Sequence, residues 1–545
     1  MQALKHNHWF WLILACIAIF CMHLDVLHVN IMEARNFITA REMLQDDHWL
    51  LTTMNGEPRY NKPPLPTWIT AISGMLFGLN SIAGLRLPAA LMGMLLVLTT
   101  YRFAKKVFNN AKLAFVGGLI LATSFYVVSA SRDANWDIFT HAFMMVCIYQ
   151  LFLFFTEDAK KYLRALIAGL FFGLAFMSKG PVSLYALLLP FIIAFGVVFK
   201  YTNLKSRLLP LLLFLVVGSI VSGWWYGYTY LYDAETVAAI NAKEAANWTG
   251  YNVRPFYYYW SFFTQSGIWT IPAFVSLLYP YLKNRVSDKK GYLFTFLWTM
   301  ASVVLLSLIP EKKSRYLLPV LIPLALNTAY YMDYIFRRFS EITNKKETVP
   351  IYIHFGIVAA IGIGFPVGGY FFLKEHLAGN IIWFVLLCAS LLIIGSYILI
   401  YLRRKQIEPV FYLTICFIAA IVTFGMPMAR AFTVNPEYTS FSALSTWQTA
   451  EAVKVFEFTD MSPELVWEYG KPLPIIKNDV TQVLEIPSEN RFGVLVAERD
   501  QELFEETFKE FSVEKIRRYD MNPQPASSNS HKTRLWRDLF LVERK

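Results

Sequence analysis

The chain has 545 residues, 56% of them hydrophobic and only 16% charged, with a formal net charge of +11 and a mean hydropathy of +0.41. A soluble domain carries roughly 25% charged residues, so an ordinary soluble globule is excluded and the many long apolar runs define a polytopic membrane protein. The basic residues are scattered through short loops between those runs, which fits orientation in a bilayer better than a nucleic-acid surface.

In chain order, the first apolar run, 9–27, has no small-residue cleavage site and reads as a retained helix rather than a signal peptide. A helix needs about 20 apolar residues to cross hydrocarbon, and further spans are expected at 84–104, 112–131, 137–156, 162–178, 182–200, 207–226, 259–281, 291–309, 316–336, 351–373, 381–402 and 409–429, about 13 in all. With the N-terminus in the cytoplasm, the cytoplasmic turns are basic. They hold Lys105 and Lys106, Lys160 and Lys161, Lys200 and Lys205, Lys289 and Lys290, Arg337 and Arg338, and Arg403 and Arg404. An odd count leaves the tail, 431–545, outside. Its strand-like runs at 491–497 and 539–542 and its helical run at 502–511 predict a small α/β domain behind a membrane domain of residues 1–430. Cys16, Cys21, Cys147, Cys388 and Cys416 all lie inside apolar runs, so neither a disulfide framework nor a thiol metal site is expected.

The outer loops are the informative ones. In the first, 28–83, IMEARNFITAREML (31–44) places Glu33, Arg35, Arg41 and Glu42 where the chain leaves the bilayer. Apolar spacing there and in PPLPTWITAISGMLFG (63–78) predicts two helices. The second, between Lys62 and Arg86, should lie in the plane of the interface. Phe37, Met43 and Leu44 are expected to bury against that interface, with Glu33 exposed to an outer site. The outer loop 227–258 is polar and aromatic, and the shorter outer turns carry SRDANWD (131–137), SKGP (178–181) and PEKKSRYLLP (310–319).

Lys62, Lys179, Lys312, Lys313 and Arg315 stand on the outer side against the orientation rule. A single such charge snorkels to the headgroups. Several together suit a lipid phosphate or diphosphate, held by charge-assisted hydrogen bonds. Glu33, Asp133, Asp137 and Glu244 lie on the same face. Acids beside a phosphate-binding basic patch suit group transfer, in which an acid takes the acceptor's proton and the cations stabilise a phosphate leaving group. Asp133 reads equally well as a helix cap or a partner of Arg132, and Asp137 also suits the positive end of its own helix. His141 reads as a packed or pore-lining histidine, and no metal-ligand spacing occurs. NWT (247–249) is a glycosylation pattern, and YYYW (257–260) reads as an interfacial belt.

The order of these motifs, over about residues 20–330, resembles the GT-C glycosyltransferases that use polyprenyl-phosphate sugars, of the aminoarabinose transferase and protein O-mannosyltransferase type. The resemblance is carried by MEARNFITAREML, then Trp49, Asn55-Gly56 and YNKPP (60–64), then Trp136-Asp137, SKG (178–180) and KKSRYLLP (312–319). It implies an all-α GT-C membrane bundle with a small C-terminal α/β periplasmic domain, in a bacterial inner membrane with the site facing the periplasm. The implied reaction moves a sugar from a polyprenyl-phosphate carrier such as undecaprenyl phosphate to a lipid, glycan or protein acceptor, with inversion at the anomeric carbon. By position, Glu33 becomes the base or orienting acid and Asp137 a second acid. Lys62, Lys179, Arg315 and Lys312 grip the donor phosphate, and Arg35, Tyr60, Asn61, Asp133 and Glu244 bind substrate.

Three positions depart from the family. Met32 stands where the relatives carry a leading Asp, Asn61 where they carry Glu, and the loop histidine has no counterpart near Glu244. The last two departures speak against a metal site there. A divalent cation is the one cofactor the resemblance leaves open, and lipid A is not assumed as acceptor. The competing readings are a transporter or flippase of lipid-linked substrates and a non-catalytic lipid-binding scaffold. A transporter should show mid-bilayer polar residues, broken helices and often paired repeats, whereas here the charges sit at outer span ends and no repeat is visible.

Overall fold

Among the described residues, eight helices are long and apolar enough to cross a membrane, and the pair Ala111–Ala122 and Phe125–Arg132, bent by 62°, makes up to nine. This computed structural model describes residues 7–477 and 483–545; the side chains of 247–249, and with them the NWT pattern, lie outside the described residues. The about 13 full spans expected from the sequence are therefore not reached on length and apolarity. Two of the missing spans, His8–Cys21 and Leu184–Val198, are shorter apolar helices. Each contains a π turn, at Ile17–Cys21 and Leu184–Leu188. The expected span 259–281 is broken into short turns, with Pro272 and Pro280 removing backbone donors. Gly267 inside it has φ +67°, and a Cβ there would lie 2.8 Å from Phe125 Cβ. Leu318–Arg338 is a full-length helix, almost wholly buried within the bundle.

Buried arginines tie these elements together. Arg132 donates to the Ile19 and His23 carbonyls at 3.0 and 3.1 Å, satisfying backbone that the π turn frees. Close packing is set elsewhere by small residues. A Cβ on Gly173, in Lys161–Lys179, would sit 2.4 Å from Val221 Cβ of the neighbouring helix Leu208–Tyr232. Gly173→Ala is expected to lower stability by about 1–3 kcal/mol through overpacking, read as a fall in the thermal unfolding midpoint of the detergent-solubilised protein.

The helix Ile31–Gln45 starts at a capping box. The Asn30 side chain accepts from the Met32 and Glu33 amides, and Glu33 accepts from the Asn30 amide. It was expected at the interface, but it is buried on most of its circumference, and Phe37 and Met43 are inside the protein. A short hairpin follows, β1 (Thr53–Met54) with β2 (Glu57–Pro58). Glu42 holds it by accepting from Thr53 Oγ1 (2.5 Å) and the Asn55 amide (2.6 Å). The next helix, Leu65–Phe77, forms where the apolar spacing predicts it and exposes Ile72, Met75, Leu76 and Phe77.

The C-terminal region forms one sheet of order β3-β4-β6-β5, with β3 (Lys454–Glu457), β4 (Arg491–Val496), β5 (Phe511–Asp520) and β6 (Trp536–Arg544). β3 and β4 are parallel, with the helix Pro463–Tyr469 between them in sequence, and the other pairings are antiparallel. Ile38 of the first-loop helix belongs to the core of this region, with Phe441, Leu465, Val466 and Leu539. Arg41 donates to the Val466 carbonyl, and Asn55 exchanges two 2.7 Å hydrogen bonds with the Leu473 backbone. The first-loop helix is thus wedged between the membrane bundle and the sheet.

Candidate active site

Lys179, from a distant segment, joins Lys313 and Arg315 of the 312–319 loop at the ring of Tyr316. Lys179 Nζ lies 5.1 Å from the ring centroid, Lys313 Nζ 5.7 Å and Arg315 Cζ 6.0 Å. Lys179 ends the helix Lys161–Lys179, and its ammonium pairs with the Asp137 carboxylate, both side chains buried. Asp137 is presented at the start of Trp136–Thr156, where the Asn135 side chain caps the helix by accepting from the Asp137 amide at 2.9 Å. Lys62 lies in the same field. Burial holds its ammonium below its ordinary range, as do the charges of Lys179, Arg59 and Lys313, while Glu244 opposes them. The Nε of Arg315 is buried without a hydrogen-bond partner. An unpaired buried donor costs about 1–3 kcal/mol, and an anion placed beside it would relieve that cost. Of the expected trio, Lys179 and Arg315 meet at the Tyr316 ring, and Lys62 feels the charge of Lys179.

Lys312 is not in this cluster. Its ammonium donates to the carbonyls of Ile309 (2.5 Å) and Arg254 (3.1 Å), fastening these two loops together. Lys313 takes the place expected of it, 4.8 Å from the Tyr251 ring centroid and 2.5 Å from Glu311. Consecutive residues of an extended segment point to opposite sides, so only one of the two lysines can face the site. Two tyrosines of the expected interfacial belt hold this segment. Tyr259 OH accepts from the Lys313 amide and donates to its carbonyl, both at 3.0 Å, and Tyr258 OH bonds Ser314 Oγ. Tyr257 and Trp260 remain exposed.

Glu33 also differs from expectation, being 1% exposed rather than open to the site. Both its oxygens are taken by Arg86, through Nε (2.6 Å) and Nη2 (2.8 Å), and it also accepts from the Ala134 amide. Arg86 further donates to the carbonyls of Leu24, Leu27 and His28. The pair joins the end of the first membrane helix to the first-loop helix. Sequence reasoning passed over Arg86, although a lone arginine inside an apolar helix signals a buried partner.

The remaining expected residues divide between the cluster and its supports. Arg35 is half-buried with its Nε unpartnered, and Arg59 donates to the Arg35 carbonyl and to Thr39 while covering the Trp136 ring. Tyr60 donates to Asp233 at 2.9 Å, at the start of the helix Ala234–Gly250 that carries Glu244. Asn61 is exposed. His141 is buried with both ring nitrogens unpartnered. Among the described residues no group of three or more His, Cys, Asp or Glu side chains is placed to hold a metal ion.

Asp133 lies beside the Glu33 anchor, accepting from Asn30 Nδ2 and Asn135 Nδ2. Burial and then the Glu33 charge push its carboxyl up to about 7. A carboxyl raised above its unfolded value binds a proton more tightly in the folded protein. Its contribution to stability is thus fully present below about pH 4 and is lost as pH rises towards 7. Asp133→Asn is expected to flatten that part of the pH dependence of thermal unfolding; an unchanged profile would remove the raised carboxyl.

The comparisons agree with this architecture. A family model, dolichyl-phosphate-mannose-protein mannosyltransferase, matches residues 61–226. An undecaprenyl phosphate-alpha-4-amino-4-deoxy-L-arabinose arabinosyl transferase of Proteus mirabilis is 25% identical over 337 residues, 60% of this chain and 59% of that one. An uncharacterized protein of Aquifex aeolicus is 29% identical over 302 residues, 54% of this chain and 58% of that one. The chain thus spans about three-fifths of the length of the curated relatives it matches. The crystal structure of ArnT from Cupriavidus metallidurans bound to undecaprenyl phosphate superposes with a TM-score of 0.72 over 98% of both chains, at 16% identity. Fold and relatives together support a multi-pass membrane protein of the GT-C class. Within that class they support the aminoarabinose transferase and protein mannosyltransferase type, as the motif order implied.

Proposed function

We propose that this protein is a glycosyltransferase, of hexosyl or pentosyl type, that moves a sugar from a polyprenyl-phosphate donor to a lipid, glycan or protein acceptor. In this reading residues 1–430 form the catalytic membrane domain of a bacterial inner-membrane protein, and 431–545 a second domain on the same, periplasmic, side as the site. The observation that carries it is the convergence of Lys179, Lys313 and Arg315 on Tyr316, with Lys62 in the same field and Arg315 Nε unpaired. The relatives whose names specify undecaprenyl phosphate support the choice of donor.

The chemistry follows from that placement. The cations hold the donor phosphate and stabilise the charge that grows on it as the bond from the anomeric carbon to the phosphate oxygen breaks. The bonding electron pair leaves with polyprenyl phosphate. The acceptor oxygen forms its bond from the opposite face, inverting the centre. As Lys179 turns part of its hydrogen bonding to the phosphate, Asp137 is left as a carboxylate able to take the acceptor's proton. Glu33, with both oxygens held by Arg86, serves as an anchor for the loop that carries Arg35 and Lys62.

The test uses the full chain in lipid nanodiscs with a radiolabelled undecaprenyl-phosphate sugar. Release of free undecaprenyl phosphate together with label on an acceptor fraction is expected. Movement of intact donor between leaflets without release would establish the flippase reading instead.

A further inference from the structure

His141 lies on the helix Trp136–Thr156, one turn beyond Asp137, and is 1% exposed. A packed or pore-lining histidine accounts for its burial but not for its nitrogens. Neither Nδ1 nor Nε2 has a hydrogen-bond partner among the described residues. A neutral imidazole carries one N–H donor and one lone-pair acceptor, and leaving both unmade in a buried place destabilises the fold. An apolar side chain of similar size would fill the same space without that cost.

Helix geometry brings the ring to the site. Residues four apart lie on one face of a helix, and side chains lean back toward the helix N-terminus. A side chain at 141 thus reaches over the turn that presents Asp137. The charges whose fields reach the ring are those of Asp137, on its own helix, and Lys179, at the end of the neighbouring helix Lys161–Lys179. Asp137 in turn lies in the fields of Lys179, Arg315 and His141. Of the four residues after Asp137, only Thr140 and His141 carry polar side chains. Thr140 Oγ1 is committed to the Ala175 carbonyl (2.9 Å) and Ser183 Oγ (3.0 Å). His141 is therefore the uncommitted polar side chain of that turn, beside the Lys179–Asp137 pair and outside it.

Donor binding makes use of such a spare group. When Lys179 turns to the donor phosphate, Asp137 loses its charge partner, and a buried carboxylate without a partner is unfavourable. We propose that His141 is a positioning residue for sugar transfer: its ring N–H then donates to Asp137 and holds the carboxylate aimed at the acceptor. The assignment rests on the transferase reading. The proton passes from the acceptor oxygen to Asp137, and the acceptor oxygen bonds the anomeric carbon. The electron pair of the bond from that carbon to the phosphate oxygen leaves with polyprenyl phosphate. His141 stays neutral and keeps its N–H throughout. Exchanging one donor for another lets the ammonium move without stranding or misaiming the carboxylate.

The test is the rate of undecaprenyl phosphate release from labelled donor by the full chain in nanodiscs, with thermal unfolding followed on the same preparations. His141→Phe is expected to lower the rate at saturating donor by about 10–10²-fold, with the donor KM within about twofold. Its unfolding midpoint is expected to stay at or above that of the unchanged protein, because two unmade hydrogen bonds are gone. His141→Leu repeats the measurement with a smaller apolar side chain. His141→Gln keeps an N–H donor and is expected to recover most of the rate. In an Asp137→Asn background, His141→Phe is expected to lower the residual rate by less than about threefold, since the two residues act as one unit.

A normal rate in the apolar variants overturns the role of His141 alone. So does a His141→Gln protein as slow as they are, or an undiminished loss in the Asp137→Asn background. A fall of rate and midpoint together in both apolar variants assigns His141 to packing and overturns the proposal too. Absence of release from the unchanged protein overturns the transferase reading itself, and the role of His141 with it.

Discussion

Lys179→Ala is expected to reduce sugar transfer by about 10²–10³-fold and to cost about 3–5 kcal/mol of stability. The two losses have different origins. Transfer falls because the cation closest to the Tyr316 ring centroid is gone from the donor-phosphate cluster. Stability falls because Asp137, 6% exposed, is left as a buried carboxylate without its partner. A second substitution separates them. Lys179→Ala with Asp137→Asn removes both charges and is expected to recover most of the thermal midpoint while transfer stays low. If the double variant regained transfer, neither Lys179 as a phosphate ligand nor Asp137 as the base would stand.

Glu33→Gln is expected to act on folding. The bidentate pair with Arg86 has side chains 1% and 2% exposed, so removing the carboxylate strands a buried guanidinium at a cost of about 3–5 kcal/mol. The protein should unfold at a markedly lower temperature in detergent, and its remaining folded fraction should still transfer sugar. A Glu33→Gln protein with a normal unfolding midpoint and no transfer would restore Glu33 to the role of base and sink the anchor.

The membrane character and the family were legible because apolar length, loop charge and motif order are carried locally by the chain. The exact spans were less so. Composition over 259–281 resembles a crossing, yet Pro272 and Gly267 with its positive φ break it, and window reasoning averages over such points. In the site, Lys62, Lys179 and Arg315 could be picked because each offends the orientation rule by itself. The choice between Lys312 and Lys313 could not be made, since it depends on which way an extended segment faces once Tyr259 has pinned it. Glu33 misled for a related reason. Its motif marks a position in the chain, but whether the carboxylate meets solvent or Arg86 is decided by a helix some fifty residues away. The strands β3 and β5 also escaped notice.

The wedged position of the first-loop helix bears on how packing is shared along the chain. Asn55 meets Leu473 across 418 residues of sequence, and Ile38 has no core until Phe441, Leu465 and Leu539 arrive. The segment that carries Arg35 and leads to Lys62 is thus packed in part by residues some four hundred positions further along the chain. Packing of this loop is thereby coupled to packing of the C-terminal sheet, so a change that loosens one is expected to loosen the other.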